Sequence, residues 1–389
     1  MTTYDWIVVG AGITGASLGY ELAKTGFSVL LIDRFPTPEN ATRYSYGGLA
    51  YWAGYTDLTR QLCLEGKERH QVLSEELGVN TQFRELDLVL TVPRDRDPEA
   101  VAAHYPPFAT PPRRVDVGEA CELEPLLNPD AIAGAFAVRH GHICPEALNR
   151  GYCSAFQRLG GTFQTAIVSN LTREGNRITG VVADGEIRPA ANVAICAGGI
   201  SRELLKTAGI ALRVHFTHTE VLETPPVDVK LRTVVMSAGM ERFGLEATAA
   251  KPELEKLWDE PGNELAPYII DTSAVQLLDG RVRMGQPSRT LSDPRAAVSA
   301  AESTAAIRSA IAQILPSLAD LPATWHHCLV AFTGDGLPLA GAIPEFEGVH
   351  IFSGFSNPLV FVPPLARRYA RSVAGEPDAI VEQLSPKRL

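Results

Sequence analysis

Short apolar runs and one amphipathic segment alternate at the start of the chain. Residues 7–9 and 30–32 are continuous apolar runs. Between them Ala16, Leu18, Leu22 and Ala23 include two helical intervals, four residues from 18 to 22 and seven from 16 to 23. Continuous runs of this length are typical of strands buried in a parallel sheet, and the spacing between them is typical of a helix packed on that sheet. The pattern predicts a strand–helix–strand unit.

The same patterns continue along the rest of the chain. A helix that ends at Gly78 as its C-cap is predicted over 58–77. Further predicted elements are a hairpin over 81–92, a helix that begins near Pro145, strands near 166–168, 178–182, 192–196, 214–223, 268–270 and 281–284, and a helix over 295–315. The segment 351–366 is apolar, but its prolines favour strand, turn and helix start over a membrane span.

These elements predict an α/β protein with two domains. A Rossmann-type nucleotide-binding domain is expected to carry an inserted α+β substrate domain, built on a mostly antiparallel sheet. Glycine-rich loops near both ends of the chain suggest that the nucleotide-binding domain is discontinuous. The expected ranges are 1–80, 141–205 and 325–389 for that domain, and 81–140 and 206–324 for the substrate domain.

A G-x-G-x-x-G loop follows the first apolar run. Gly10 would make the tight turn, Gly12 would let a pyrophosphate reach the backbone, and Gly15 would let helix and strand touch. Asp33 ends the second apolar run, where a carboxylate accepts hydrogen bonds from the adenosine ribose. A glycine-rich turn in another kind of α/β protein is the alternative, but it leaves Asp33 unexplained. The combination predicts dinucleotide binding.

Composition limits the possible partners. The net charge of −10 argues against a nucleic-acid or anionic-membrane surface. The six cysteines lack C-x-x-C spacing, and no third ligand accompanies the histidine pairs 215/218 and 326/327, so neither disulfides nor a metal site are expected. The motif begins within ten residues of Met1, so no leader peptide is expected, and the scattered cysteines favour a reducing cytoplasm as the location.

Taken together, these stretches resemble the D-amino-acid-oxidase-like family of FAD-dependent oxidoreductases, the group of glycine oxidase and monomeric sarcosine oxidase. The resemblance rests on the glycine loop with Asp33 and on segments 47–48, 143–148, 193–199, 335–338 and 353–356. It implies FAD as cofactor. The residues that it places at FAD are Gly10, Gly12, Ile13, Thr14, Gly15, Asp33, Arg34, Thr42, Arg43, Ser45, Gly47, Gly48, Val168, Ala197, Gly198, Cys328, Asp335, Gly336, Gly354, Phe355, Ser356 and Asn357.

The chain departs from the family pattern at its carboxylate anchors. Phe361 stands where sarcosine-oxidase-like members have a lysine, and Val330-Ala331 where glycine-oxidase-like members have Arg-Pro. A third basic anchor of the sarcosine-oxidase-like pattern would fall near Ala50, which is not basic. A carboxylate without a cationic partner is costly to desolvate. The missing anchors therefore make an ordinary small amino acid a weaker prediction for the substrate than the family name suggests.

Three residues are candidates for the reaction itself, and one for covalent attachment. Arg283 occupies the place of a flavin-facing lysine that promotes the reaction with oxygen, although a solvated strand arginine is the alternative. Tyr46 and Trp52 flank a second glycine loop, at Gly47-Gly48, and would line a pocket over the flavin, unless they are core residues. Cys328 has the spacing at which relatives attach FAD covalently, with a buried structural thiol as the alternative.

The resemblance implies oxidation of an amine or amino acid to an imine by hydride transfer to flavin N5, with reoxidation by oxygen or another acceptor. The expected partners are thus a small amine or amino-acid substrate and an electron acceptor. Three alternatives remain: an FAD-dependent 2-hydroxy-acid dehydrogenase, an NAD-dependent dehydrogenase, and a non-catalytic flavin-binding protein.

Overall fold

The computed structural model describes residues 3–37 and 39–389. Its helices are α1 (Ile13–Lys24), α2 (Ala41–Tyr44), α3 (Asp57–Leu77), α4 (Pro98–Ala103), α5 (Val117–Leu123), α6 (Pro145–Arg158), α7 (Ser201–Thr207), α8 (Glu241–Ala249), α9 (Ala300–Ile314), α10 (Pro358–Val373) and α11 (Ala379–Gln383).

The strands are β1 (Tyr4–Val9), β2 (Val29–Asp33), β3 (Gly48–Leu49), β4 (Arg84–Pro93), β5 (Arg113–Val115), β6 (Ile132–His142), β7 (Thr162–Thr165), β8 (Val168–Glu174), β9 (Arg177–Ala183), β10 (Glu186–Ile195), β11 (His215–Glu223), β12 (Val234–Ser237), β13 (Ile269–Gln276), β14 (Val282–Arg289), β15 (Thr324–Phe332), β16 (Leu339–Ala342) and β17 (Val349–Ser353).

The first sheet has the strand order β16-β17-β10-β1-β2-β7, with the β8–β9 hairpin attached to β10. Along that order all neighbours are parallel except β16, which is antiparallel to β17, and the hairpin strand β9 is antiparallel to β10. Val9 is in register with Ile32 on one side and Ile195 on the other. The loops that follow β1, β2 and β10 therefore leave the sheet at the same edge, where α/β proteins bind ligands.

Helices cover both faces of this sheet, as the uninterrupted apolar strands predict. Side chains of α1, α3, α6 and α10 form the core on one face, and α7 with the β8–β9 hairpin covers the other. The predicted helix over 58–77 is confirmed as α3: Thr56 caps its first turn, and Gly78 ends it with a left-handed φ of 62°. These helices hold the ligand edge of the sheet rigid.

The second sheet has the order β15-β11-β14-β13-β12-β4-β6-β3, with β5 beside β6. Its neighbours are antiparallel except for the parallel pair β12–β4. Helix α9 packs on one face through Ile307 and Ile311. The expectation of an α/β protein with a mostly antiparallel second sheet is confirmed.

Two details of the predicted organisation need correction. The segment 81–92 is not a hairpin, because β4 is one strand that pairs with the distant β6. Alternation identifies a strand, but it does not reveal a partner so far along the chain. Strand β15 belongs to the second sheet through its pairing with β11, although the boundary at 325 assigned it to the nucleotide-binding domain. With that change, the division into two domains stays our proposal.

Candidate cofactor and substrate site

The glycine loop is shaped by close contacts within the chain. Gly10 has a φ of 101°, and a Cβ there would lie 2.5 Å from the carbonyl oxygen of Cys196. A Cβ on Gly15 would lie 1.7 Å from the carbonyl oxygen of Gly10. At Gly12 a Cβ would approach only the Thr42 hydroxyl, at 3.1 Å. Positions 10 and 15 thus need glycine for packing, while Gly12 lies on the more open side of the loop.

Asp33 and Thr42 hold this loop through its backbone. Oδ2 of Asp33 accepts a hydrogen bond from the Ala11 N–H at 2.7 Å, and Oδ1 accepts one from Phe35 at 2.9 Å. The Thr42 hydroxyl accepts from the Ile13 N–H at 2.9 Å. Each carboxylate oxygen keeps a further lone pair for a ribose hydroxyl, and the first turn of α1 presents backbone N–H groups. This donor and acceptor set fits a dinucleotide.

The other glycine-rich segments approach the same edge. Gly47 and Gly48 lie against Ile143 and His140, where Cβ atoms would come within 2.2 Å and 2.6 Å of protein atoms. Gly198 follows β10 after Ala197 and has a φ of 57°, and a Cβ there would meet no atom of the described residues within 4 Å. The Thr14 hydroxyl reaches the carbonyl of Cys196, which joins the first and third loops.

The carboxyl-terminal loops are tied to one another and to segment 45–52. Ser356 donates its hydroxyl proton to the carbonyl of Gly336 at 3.0 Å, and Asn357 donates to the carbonyl of Ala50 at 3.2 Å. Gly354 has a φ of 78°. Asp335 is paired with Arg388 at 2.8 Å, and Phe355 is buried against Phe352. The Asp335 side chain is thus engaged by Arg388 at the surface, and the Phe355 ring lies in the core. We therefore propose that these two residues contact FAD through their backbone.

Two of the residues predicted to bind FAD lie at the periphery. The Arg34 side chain is exposed and lies over the ring of Phe35. Val168 begins β8, shortly after β7, which pairs with the end of β2 at Asp33. Their contact with the adenosine end of FAD stays a prediction.

An ionic cluster of Arg43, Arg281, Arg283, Glu146 and Glu223 lies where α2, α6, β11 and β14 meet. The Arg283 side chain is fully buried; its Nε donates to Glu223 at 2.7 Å and its Nη2 to Glu146 at 2.8 Å. Arg43 contributes hydrogen bonds to both carboxylates. Burial alone would raise the pKa of Glu223, but Arg43 and Arg283 hold that pKa at about 2.

The cluster changes the roles predicted for Arg283 and Arg43. We expected Arg283 to offer a free cation to flavin or substrate, but its guanidinium is paired with Glu146 and Glu223, which it shares with Arg43 and Arg281. Its remaining hydrogen bond goes to the carbonyl of Ser45. Arg283 therefore fixes the backbone next to Tyr46. Arg43 was also predicted to bind FAD. Its guanidinium is paired with Glu146 and Glu223 in the same way, so it is not a free cation either.

Tyr46 and Trp52, predicted together, lie in different environments. The Tyr46 hydroxyl lies 3.1 Å from the Ser273 hydroxyl on β13, so this side chain spans from the second loop to the second sheet. Burial raises the pKa of Tyr46. Trp52 donates from Nε1 to His140 at 3.1 Å and packs edge-on against Phe108 in a hydrophobic core. Trp52 is thus a core residue, which corrects its predicted catalytic role.

Cys328 lies on β15, opposite Thr219 of β11. Strand alternation places it on the face of His326, whose ring stacks on Tyr44 at 4.5 Å. Burial raises the pKa of the Cys328 thiol to about 12. The thiol therefore faces the second loop in its protonated form, which favours the alternative of a buried structural thiol over covalent attachment of FAD.

Two charged residues near Tyr46 did not follow from the sequence. Arg242 lies on α8 and Asp271 on β13, and the charge of each influences the pKa of the other. Both fall in stretches where the sequence offered no motif. Their proximity depends on the packing of α8 against β13, which no local pattern reveals.

Two further observations concern partners. None of the helices in ranges 3–37 and 39–389 is long and apolar enough to cross a lipid bilayer. Within the same ranges, no group of three or more His, Cys, Asp or Glu side chains is arranged to hold a metal ion.

Comparisons with known proteins agree with this geometry. Two curated relatives are an uncharacterised oxidoreductase, YurR, of Bacillus subtilis (26% identity, covering 98% of this chain and 97% of the relative) and a glycine oxidase of Pseudomonas aeruginosa (24% identity, 96% of each). Among solved structures, glycine oxidase from Geobacillus kaustophilus superposes with a TM-score of 0.80 at 20% identity over the full length of both chains. L-Proline dehydrogenase from P. horikoshii gives 0.78 at 20% identity, covering 99% of this chain and 97% of that one.

These structural likenesses show the fold, and the family follows from a sequence model. The model described as FAD dependent oxidoreductase, abbreviated DAO, matches residues 5–372, nearly the whole chain. The match identifies FAD, and not a nicotinamide, as the cofactor. This protein belongs to the DAO family of FAD-dependent oxidoreductases.

Proposed function

We propose that this protein oxidises the C–N bond of an amine or amino acid to an imine. The observation that carries the proposal is the position of Tyr46. Its backbone belongs to the second glycine loop, at the edge where the nucleotide loops converge, and its hydroxyl contacts Ser273 of the second sheet. Groups predicted to contact FAD thus lie directly beside polar groups of the second sheet.

The residues that would hold FAD are the backbone of 10–15 and Asp33 at the adenosine and pyrophosphate end, with segments 45–48, 197–198 and 354–357 towards the ring. When bound, FAD supplies the acceptor for a hydride from the substrate carbon. Arg283 holds the Ser45 carbonyl, and His142 donates from Nε2 to the Tyr46 carbonyl at 3.0 Å, so this backbone is fixed before substrate arrives. A site fixed in advance lowers the cost of orienting the reactants.

The relatives' names support an amine as substrate. Glycine oxidase and L-proline dehydrogenase are named for substrates that carry an amino group next to a carboxylate. Around Tyr46, the carbonyl oxygen of Gly285 and the hydroxyls of Tyr46 and Ser273 are the kinds of group that can bind an amine N–H. We infer that they orient the amine while the second sheet excludes water.

The test is product analysis of the purified holoenzyme with amines, amino acids and 2-hydroxy acids. Oxidation of a C–N bond gives an imine, and hydrolysis of that imine releases ammonia or an amine together with a carbonyl compound. We expect both products in equal amounts from at least one amine or amino acid. A keto acid formed only from 2-hydroxy acids would overturn the proposal. Oxygen uptake, compared with reduction of a dye, identifies the acceptor in the same assay.

A further inference from the structure

Arg242 on α8 is held in place by one side-chain hydrogen bond, which engages one of its three guanidinium nitrogens. Its side chain is 26% exposed, and its Nε donates to Oε1 of Glu246 at 2.9 Å. Glu246 is itself fixed by the Thr217 hydroxyl at 2.8 Å. Among the residues that the structure describes, Nη1 and Nη2 of Arg242 donate no hydrogen bond to a protein acceptor. The two terminal nitrogens of a positioned guanidinium are therefore available to a ligand.

Asp271 on β13 is complementary to Arg242. Its Oδ1 is buried and has no hydrogen-bond partner within the described part of the chain. Burial and the charge of Glu241 raise its pKa to about 7, and Arg242 opposes that rise. Arg242 and Asp271 do not form a direct ion pair with each other. A buried carboxyl oxygen without a partner is costly, which indicates a group with a binding role.

This arrangement differs from that of Arg283. The guanidinium of Arg283 is paired with two carboxylates and donates from all three nitrogens. Arg242 instead has one carboxylate on Nε. The electrostatic influence of Arg242 extends to Cys328, and that of Asp271 extends to Tyr46. The Ser273 hydroxyl that contacts Tyr46 also lies 3.2 Å from the carbonyl oxygen of Asp271, and α8 packs against β13, so the pair lies beside the Tyr46–Ser273 contact, next to the proposed reaction site.

We propose that Arg242 and Asp271 recognise the two charged groups of an amino-acid substrate, with the guanidinium on its carboxylate and the Asp271 carboxyl on its amino group. This inference rests on the proposed function and narrows the substrate from amines in general to amino acids. It also accounts for the absence of the basic anchors at Phe361, Val330 and Ala50, because Arg242 supplies the missing positive charge from a different element. A guanidinium can bind a carboxylate through two parallel hydrogen bonds, so it gives direction as well as affinity.

The experiment is calorimetric titration of the oxidised holoenzyme, without oxygen, with two matched sets of probes. One set is glycine, methylamine and acetate, and the other is L-proline, pyrrolidine and cyclopentanecarboxylate. We expect the wild type to bind the amino acid and the carboxylate of at least one set, and the corresponding amine much more weakly. Arg242→Met should weaken the binding of both the amino acid and the carboxylate by about 100-fold, because the carboxylate of the bound probe loses its charged partner. Asp271→Asn should weaken only the amino acid.

Control variants separate recognition from folding. Arg177→Met removes an exposed ion pair to Glu347 on the first sheet, and it should leave every affinity unchanged. Arg242→Lys keeps the charge but loses the fork, so an intermediate affinity is expected. If Arg242→Met does not fold, Arg242→Lys and Asp271→Asn still test the two halves separately.

The outcomes distinguish this inference from the proposed function. Binding that depends on Arg242, without later reduction of the flavin by any amino acid, would support the pair and contradict the oxidation. Reduction of the flavin by amino acids that bind wild type and Arg242→Met with equal affinity would support the oxidation and contradict the pair. The inference is also overturned if the amine binds as tightly as its amino acid, or if the wild type binds no probe.

Discussion

A Cβ atom on Gly15 would lie 1.7 Å from the carbonyl oxygen of Gly10, so the first turn of α1 rests directly on the loop after β1. Gly19 lies one turn further along the same helix, and a Cβ there would meet the Phe156 ring at 3.8 Å, an ordinary contact distance. The two glycines therefore form a matched pair, one required by the nucleotide loop and one that tolerates a methyl group.

We predict that Gly15→Ala loses bound FAD and at least about 2 kcal/mol of stability, because the added methyl group must push α1 away from the loop. Gly19→Ala should keep its FAD and stay within about 1 kcal/mol of the wild type, since alanine favours helix. The ratio of flavin to protein and denaturant unfolding measure both effects. Full FAD occupancy in Gly15→Ala would contradict the assignment of this loop.

Arg283→Met tests the ionic cluster. Its removal leaves the Ser45 carbonyl without this donor, while Glu223 and Glu146 keep Arg43 and Arg281, so we expect a loss of about 1–3 kcal/mol in the free energy of unfolding. Arg139→Met, which removes an exposed pair with Asp87, should cost less than about 1 kcal/mol. Unchanged stability with a slower reaction with oxygen would instead support a direct role of Arg283 at the flavin.

Cys328 decides whether the flavin is covalently attached. A thiolate is the nucleophilic form of cysteine, and burial raises the pKa of Cys328 to about 12, so we expect non-covalent FAD. Acid precipitation should then release the yellow colour into the supernatant, for the wild type and for Cys328→Ser alike. Colour that stays in the wild-type pellet but not in the Cys328→Ser pellet would show covalent attachment.

Asp271 should make stability depend on pH. Its folded-state pKa of about 7 lies above the value of 3.8 for an unperturbed aspartate, so between these limits the native state binds more protons than the unfolded state. Stability from this group therefore falls as pH rises through that window. Glu241, Arg242 and Tyr46 are the titratable groups that interact with it.

In Asp271→Asn this dependence disappears. We compare the free energy of unfolding of the variant with that of the wild type. This difference should be more favourable to the variant above pH 7 than below pH 3.8, by on the order of 3 kcal/mol. The comparison uses denaturant unfolding of both proteins at the two pH values. An equal difference at both would show that the Asp271 carboxyl is not held in a desolvated position.

Local sequence patterns anticipated the nucleotide-binding half well. The run that ends at Val9, the helix after Gly12 and the strand that ends at Asp33 occur where the pattern placed them. Helix α3, with Gly78 as its C-cap, is equally local. In these elements the spacing of apolar residues and the conformational needs of glycine determine the structure over short distances along the chain.

The second sheet and the charged residues of the site could not be predicted in the same way. Pairing of β4 with β6 and of β11 with β15 joins distant segments, so strand patterns alone did not give the order. From the sequence, Arg283 was predicted to be a functional cation. Its pairing with Glu146 and Glu223 could not be predicted, because these residues are far from it along the chain and meet it only in the folded structure. Arg242 was overlooked for the complementary reason, since its unused nitrogens are apparent only when α8 packs against β13.

The most direct test of the central claim is anaerobic mixing of the purified holoenzyme with amines and amino acids while the visible absorption of the flavin is recorded. If this protein oxidises an amino acid, that absorption band is lost on mixing, without any added acceptor, and returns when oxygen or another acceptor is admitted. A band that stays unchanged with every amine and amino acid, in a protein that binds FAD fully, would contradict the account.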